Sequence, residues 1–121
     1  MEPKHFEKLK VWKVAHEISV LVYKITGSGP LSRDFPLKNQ LRRASISVPS
    51  NIAEGYGRHS KKEFLKHLSI ANGSVFEVRS QVLLAKDAGL ITKDQAQKLS
   101  NMCLEVSGLI GGLRRSVKNS L

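Results

Sequence analysis

A chain of 121 residues with 40% hydrophobic residues and a single cysteine has the size of one domain, able to bury a core without metal or disulfide staples. Cys103 alone excludes an internal disulfide, no apolar run reaches membrane-spanning length, and no hydrophobic leader opens the chain, so a cytoplasmic location without a membrane partner is expected. The formal charge of +10 points to polyanions as partners, nucleic acid first.

Residues Met1 to Phe6 are predicted as a loose arm. Val11, Val14, Ile18, Leu21 and Ile25 then recur at steps of three and four, which predicts an amphipathic helix over Glu7 to Thr26, with Trp12, Ala15 and Val22 widening its apolar face. Gly27-Ser28-Gly29-Pro30 ends it, and Pro36 suits the first turn of a second helix.

In that second helix Leu41, Ala44, Val48 and Ile52 form one stripe, and Arg43, Ser47, Ser50 and Glu54 form another beside it. Pro49 interrupts the pattern chemically without interrupting its period. One helix kinked at Pro49 is predicted rather than two, with Ser45, Ser47 or water satisfying the carbonyl of Ser45 that the proline leaves without a donor. Gly55 and Gly57 are read as terminators, and Ser60 with Glu63 as a capping box.

The third helix, Lys61 to Ala88, carries the seam Phe64, Leu68, Ala71, Val75, Val78, Val82 and Ala85. Leu65, Phe76 and Leu83 lie beside the seam, with Ile70 and Leu84 elsewhere. They either broaden the core face or meet a second subunit. Gly89 stops this helix, Thr92 with Gln95 opens the fourth, and Leu99, Met102, Val106, Leu109 and Leu113 mark it from Lys93 to Lys118. Gly108, Gly111 and Gly112 are costly inside a helix, which predicts a neighbouring backbone close to them. Arg114, Arg115 and Lys118 suit the last turns. The fold class is therefore all-α, an antiparallel up-down-up-down four-helix bundle of residues 1–121.

Chemistry is poorly represented. A bundle metal site needs paired glutamates and two Glu-x-x-His units, and the one such unit, Glu2 to His5, lies in the arm. Cys103 lacks a base partner, no phosphate loop follows Gly55-Tyr56-Gly57, and Glu54, Glu63, Glu77 and Glu105 are not paired at catalytic spacing. No cofactor and no enzymatic activity are expected. His59 and His67 are read as surface or phosphate-touching side chains, and His16 as a surface residue of its helix.

The basic cluster is the exception. Between Lys38 and His67 lie Lys38, Arg42, Arg43, Arg58, Lys61, Lys62 and Lys66 against Glu54 and Glu63 alone. Lys62 and Lys66 share a helix face, and such a surface contacts phosphates without reading sequence. Tyr56 is placed to stack on an unpaired base. The opposing interpretation is a solvated charged face with Arg43 paired to Glu54.

The segments FEKLKVWKVAHEI, QLRRASISVPSNIAEGYGR and SKKEFLKHLSIANGSVFEV resemble the four-helix bundle family named for reading frames in intervening sequences of bacterial large-subunit ribosomal RNA genes. The accessory variability protein of diversity-generating retroelements belongs to the same family. The likeness runs from Phe6 to Leu113, and Val48-Pro49-Ser50-Asn51-Ile52-Ala53-Glu54-Gly55 is its most specific part. It implies a ring-like homopentamer and, in the retroelement branch, a surface that binds RNA or DNA and a reverse-transcriptase partner. The positions matching the family's basic motif are Arg42, Arg43, Arg58, Lys61 and Lys62. With Lys66 added, these are the candidate nucleic-acid contacts. The alternative is a scaffold that docks another polypeptide on its helix faces, which scattered cations would favour.

Overall fold

Helical periodicity in the sequence becomes four helices in the computed structural model, which describes residues 5–121: α1 (Lys10–Thr26), α2 (Phe35–Gly57), α3 (Lys61–Asp87) and α4 (Lys93–Asn119). Short 3-10 turns at Phe6–Lys8 and Pro30–Arg33 precede α1 and α2, and no strand forms among the described residues. Glu2, and with it the Glu2–His5 unit, lies outside the described residues. Of the predicted loose arm, residues 1–4 lie outside the described residues, and Phe6 is not loose, because its ring stands edge-on to Trp12 at 5.1 Å.

Each helix packs against its neighbours in chain order, and α1 closes the bundle on α4. Polar contacts fix the antiparallel register. Thr26 meets Arg42 between α1 and α2, Ser47 meets Ser74 between α2 and α3, and Asn72 meets Ser107 while Lys61 meets Ser120 between α3 and α4. One end of the bundle, here the base, therefore gathers the starts of α1 and α3 with the ends of α2 and α4; the other end is the top. The predicted stripes fill the interior: Ile18, Leu41, Val48, Ile52, Leu68, Val75, Val78, Val82, Leu99 and Val106 are sealed from solvent.

Pro49 is buried inside a single continuous α2, as the unbroken period requires. The carbonyl that it leaves without a donor is satisfied from outside the helix. Ser19 on α1 donates its hydroxyl to Ser45 O at 2.8 Å, whereas Ser45 bonds back to Arg42 O and Ser47 accepts from Asn51. The expected local rescue by Ser45 or Ser47 is thus replaced by a bond between helices. Deleting the hydroxyl would strand a buried acceptor.

Two further readings change. Gly55 does not end α2. It is buried, and a Cβ there would come 2.5 Å from His67 Cβ, so this glycine lets α2 and α3 approach at the base. The turn is made beyond it, by His59 at φ 57°. The glycines of α4 are the reverse case: a Cβ on Gly108 meets nothing within 4 Å, and those on Gly111 and Gly112 meet the guanidinium of Arg115 rather than a backbone.

Helix ends follow sequence chemistry. Asp34 caps α2 by accepting from Leu37 N, and Thr92 with Gln95 forms a full capping box, whereas the box predicted at Ser60 is half made: Ser60 accepts from Glu63 N, but the Glu63 carboxylate turns to His67. Gly89 at φ 76° ends α3, with Leu90 N reaching back to Ala85 O at 2.8 Å and Gly89 N to Lys86 O.

Candidate nucleic-acid interface

The six candidate cations do not form one surface. Arg42 and Arg43 stand sixteen and fifteen residues before Arg58, which along α2 is about 22–24 Å. Arg42 is half-buried: its Nε donates to Thr26 Oγ1 at 2.7 Å and its guanidinium lies 4.3 Å from the centre of the Tyr23 ring. Those partners tie α1 to α2 and leave Arg42 little capacity for a ligand. Lys38, beside it, sits over the Phe35 ring. Arg43 is exposed and does not pair with Glu54.

At the base Arg58 Nη2 donates to Glu54 Oε1 at 2.8 Å. That hydrogen bond, more than the charges themselves, holds the Glu54 carboxyl below its usual range and raises Arg58 further. Both groups are open to water, so the pair contributes little to stability. His67 is not a surface residue. It is 7% exposed, its Nδ1 lies 2.8 Å from Glu63 O, and its Nε2 faces Glu54 at 3.6 Å. Glu63 turns to the same imidazole, at 3.9 Å, and so leans toward α2. Tyr56 is partly buried, edge-on to Phe64 at 5.7 Å, and so is not presented as an open stacking platform.

Lys61 donates to Ser120 O at 2.6 Å, binding the last turn of α4 to the first turn of α3. Lys62 and Lys66, four residues apart and exposed, make no ion pair or side-chain hydrogen bond among the described residues. The contact through Lys61 also brings the cations of the last turns of α4 to the base. Ser107 faces α3 through Asn72, and Arg114 and Lys118 recur at seven and eleven residues beyond it, on the same side of α4. Arg115 folds back over the bare backbone of Gly111 and Gly112. Two helices of 27 residues joined by a short turn must bring the end of one beside the start of the other, so this adjacency was available from the sequence.

Charge is also distributed along the bundle. Ala44 to Ala53, His67 to Phe76 and Val106 to Leu113 hold no Lys, Arg, Asp or Glu, and α1 has only Glu17 between Val14 and Tyr23. These stretches coincide at mid-height. The uncharged waist exposes Val20, Ile46, Ile70 and Phe76, the last 52% exposed, and Leu104 stands just above it beside Glu105. Phe76, beside the α3 seam, is thus a surface residue, as are Ile70 and Leu84. Among the described residues no cluster of His, Cys, Asp and Glu is arranged to hold a metal, and no helix is long and apolar enough to cross a membrane. Buried Cys103 is an inert thiol, pushed up to about 11 by desolvation, with Arg79 acting weakly the other way.

A family model described as 23S rRNA-intervening sequence protein matches residues 7–112. A crystal structure of a protein of unknown function, from the S23 ribosomal protein family of Bacteroides thetaiotaomicron, has the same fold. Its TM-score is 0.78 at 23% identity, over 86% of this chain and 97% of that one. No curated protein matches the chain.

Proposed function

The chain belongs to the 23S rRNA-intervening sequence protein family, and from that premise we propose that it is a non-enzymatic, cytoplasmic nucleic-acid-binding protein, RNA favoured, that works as a homo-oligomer. The observation that carries the reading is the pair of outward cations at the base, Lys62 and Lys66, exposed four residues apart on α3 and without an ion pair among the described residues, whereas Arg58 nearby in the chain is held by Glu54. Ammonium and guanidinium groups so placed bind phosphates by charge and hydrogen bonds, with counter-ion release as the driving force. The family name, which refers to ribosomal RNA, agrees with a polyanionic partner.

Self-association is supported by the waist. Apolar side chains exposed at mid-height, framed by charge above and below, suit burial against another copy, and the family resemblance implies five copies in a ring. Copies held together multiply weak phosphate contacts through effective concentration. The same apolar waist would suit a protein partner such as a reverse transcriptase, and this is the second reading.

Anisotropy titration of an unstructured RNA at two salt concentrations tests the first reading. A protein touching about six phosphates of a single strand loses roughly 300-fold in affinity between about 50 and 200 mM salt. Absence of binding at the lower concentration refutes it. Mass measurement in solution should give a multiple of 13.4 kDa, and a monomer at micromolar concentration would remove the oligomer.

A further inference from the structure

We propose that the phosphodiester contact is made across the base of the α3–α4 pair, with Arg114, Arg115 and Lys118 of α4 joining Lys62 and Lys66 of α3, and with Lys61 as a positioning residue. This rests on the nucleic-acid reading above and adds to it the location of the site and three residues outside the expected set.

Four observations converge on this place. First, it is poor in acidic side chains: α3 has no Asp or Glu from Phe64 to Phe76, α4 has none from Val106 onward, and Glu63 leans away to His67 on the α2 side. The top of the same helix pair differs, because Lys86 lies 3.7 Å from Asp87 and Asp94 stands in the first turn of α4 between Lys93 and Lys98. A phosphate approaching the top meets carboxylates, whereas at the base of α3 and α4 the cations face a single side-chain carboxylate, Glu63, which is turned toward His67.

Second, the five cations have no competing partner among the described residues, in contrast to Arg42 and Arg58. Third, the surface is pre-assembled. The bond from Lys61 Nζ to Ser120 O holds the α4 end against α3, so the two cation rows, along neighbouring helices about 8–10 Å apart, keep a fixed spacing. Lys62 and Lys66 are about 6 Å apart along the axis, as are Arg114 and Lys118.

Fourth, the glycines of α4 acquire a role. With no side chain at Gly111 or Gly112, the Arg115 guanidinium rests close to the backbone, 3.5 Å from where a Gly111 Cβ would stand. This lays a planar, five-donor group along the α4 surface, where it can take a phosphate in bidentate fashion.

The partner so described is a nucleic-acid backbone rather than a base sequence. Two charge-matched triple variants separate this site from general electrostatics. One changes Arg114→Gln, Arg115→Gln and Lys118→Gln at the base; the other changes Lys24→Gln, Arg33→Gln and Lys98→Gln at the top, all exposed positions. Each is titrated against the same unstructured RNA oligonucleotide and a DNA duplex at several salt concentrations, with thermal melting as a check on folding. The base variant should lose at least about tenfold in affinity for both probes, and its log–log salt slope for the single strand should become shallower by about 2, as three lost contacts require. The top variant should stay within about threefold of the parent. Equal losses in the two variants would overturn the site while leaving nucleic-acid binding intact, whereas a parent protein that binds neither probe would overturn both. If the base triple melts early, Lys62→Gln with Lys66→Gln supplies the same comparison, and an unchanged affinity there counts against the site.

Discussion

At the top of the bundle Arg42 donates to Thr26 and lies over Tyr23, whereas at the base Lys62 and Lys66 reach no partner among the described residues. Both groups belong to one basic run in the sequence, and formal charge does not distinguish them. What distinguishes them is whether the protein itself already satisfies the cation. A guanidinium that joins two helices contributes to the fold, and an ammonium with only water around it is available to a ligand. Density of charge in a sequence therefore overstates the size of an interface.

The most severe way to break the comparison is at Gly55, which sets the approach of α2 and α3 beneath the basic surface. Gly55→Ala should destabilise the protein by about 1–3 kcal/mol, because the new Cβ falls 2.5 Å from that of His67 and 3.2 Å from the Phe64 ring. Urea unfolding measures it. An unchanged midpoint would mean that the corner is not close-packed.

Next in size is a double contrast. Arg42→Ala should lower stability by about 1.5–3 kcal/mol through loss of a charged hydrogen bond, with only a small change in RNA affinity. Lys62→Ala should do the reverse, leaving stability within about 0.5 kcal/mol while weakening binding. Parallel melts and titrations decide it, and matching profiles for the two variants would erase the distinction between top and base.

Ser19→Ala probes the waist between them. It removes the donor to Ser45 O and should cost about 1–2 kcal/mol, with Pro49 still preventing an internal replacement. Restoring the helical donor with Pro49→Ala should rescue part of that loss.

Much of this was legible in the sequence and some was not. The four helices and their core followed from apolar recurrence, because burial imposes the same period along a whole helix: Val75, Val78 and Val82 fell where spacing put them. Cap chemistry is equally local, hence Gly89 and the Thr92–Gln95 box. What failed were judgements about partners far along the chain. Nothing near Pro49 announces that Ser19 supplies its missing donor, or near Arg42 that Thr26 and Tyr23 receive it. Gly55 and Gly108 look alike in sequence, yet one sits beneath His67 and the other faces open space. The candidate site was half legible for the same reason. Lys62 and Lys66 are adjacent in sequence, but their proposed companions on α4 are some fifty residues away.

Gly108 sharpens the comparison with a smaller effect of opposite sign. In the isolated bundle Gly108→Ala should stabilise α4 by about 0.5–1 kcal/mol, since the methyl group meets nothing. If another copy packs on this face of the waist, the same change should weaken assembly, and melting at two protein concentrations separates the outcomes.

The smallest effects are those of pH. Glu54 has a depressed carboxyl when folded, so its contribution is present above the ordinary carboxylate range and is lost as pH falls through its folded value. Being exposed, it should scarcely move the melting temperature above pH 5. Cys103 runs the other way. Its thiol keeps a proton in the folded state that the unfolded chain has released, so stability falls as pH rises from 9.0 to about 11. Thiol reagents at pH 8 should label it only after unfolding.

The most direct test of the central claim is lysine footprinting on the intact protein. Amine-reactive labelling with and without saturating unstructured RNA, read by peptide mass spectrometry, should show protection of Lys62, Lys66 and Lys118 and unchanged labelling of Lys24, Lys93 and Lys98. Protection spread evenly over both ends, or confined to the top, would contradict a phosphodiester contact at the base of α3 and α4.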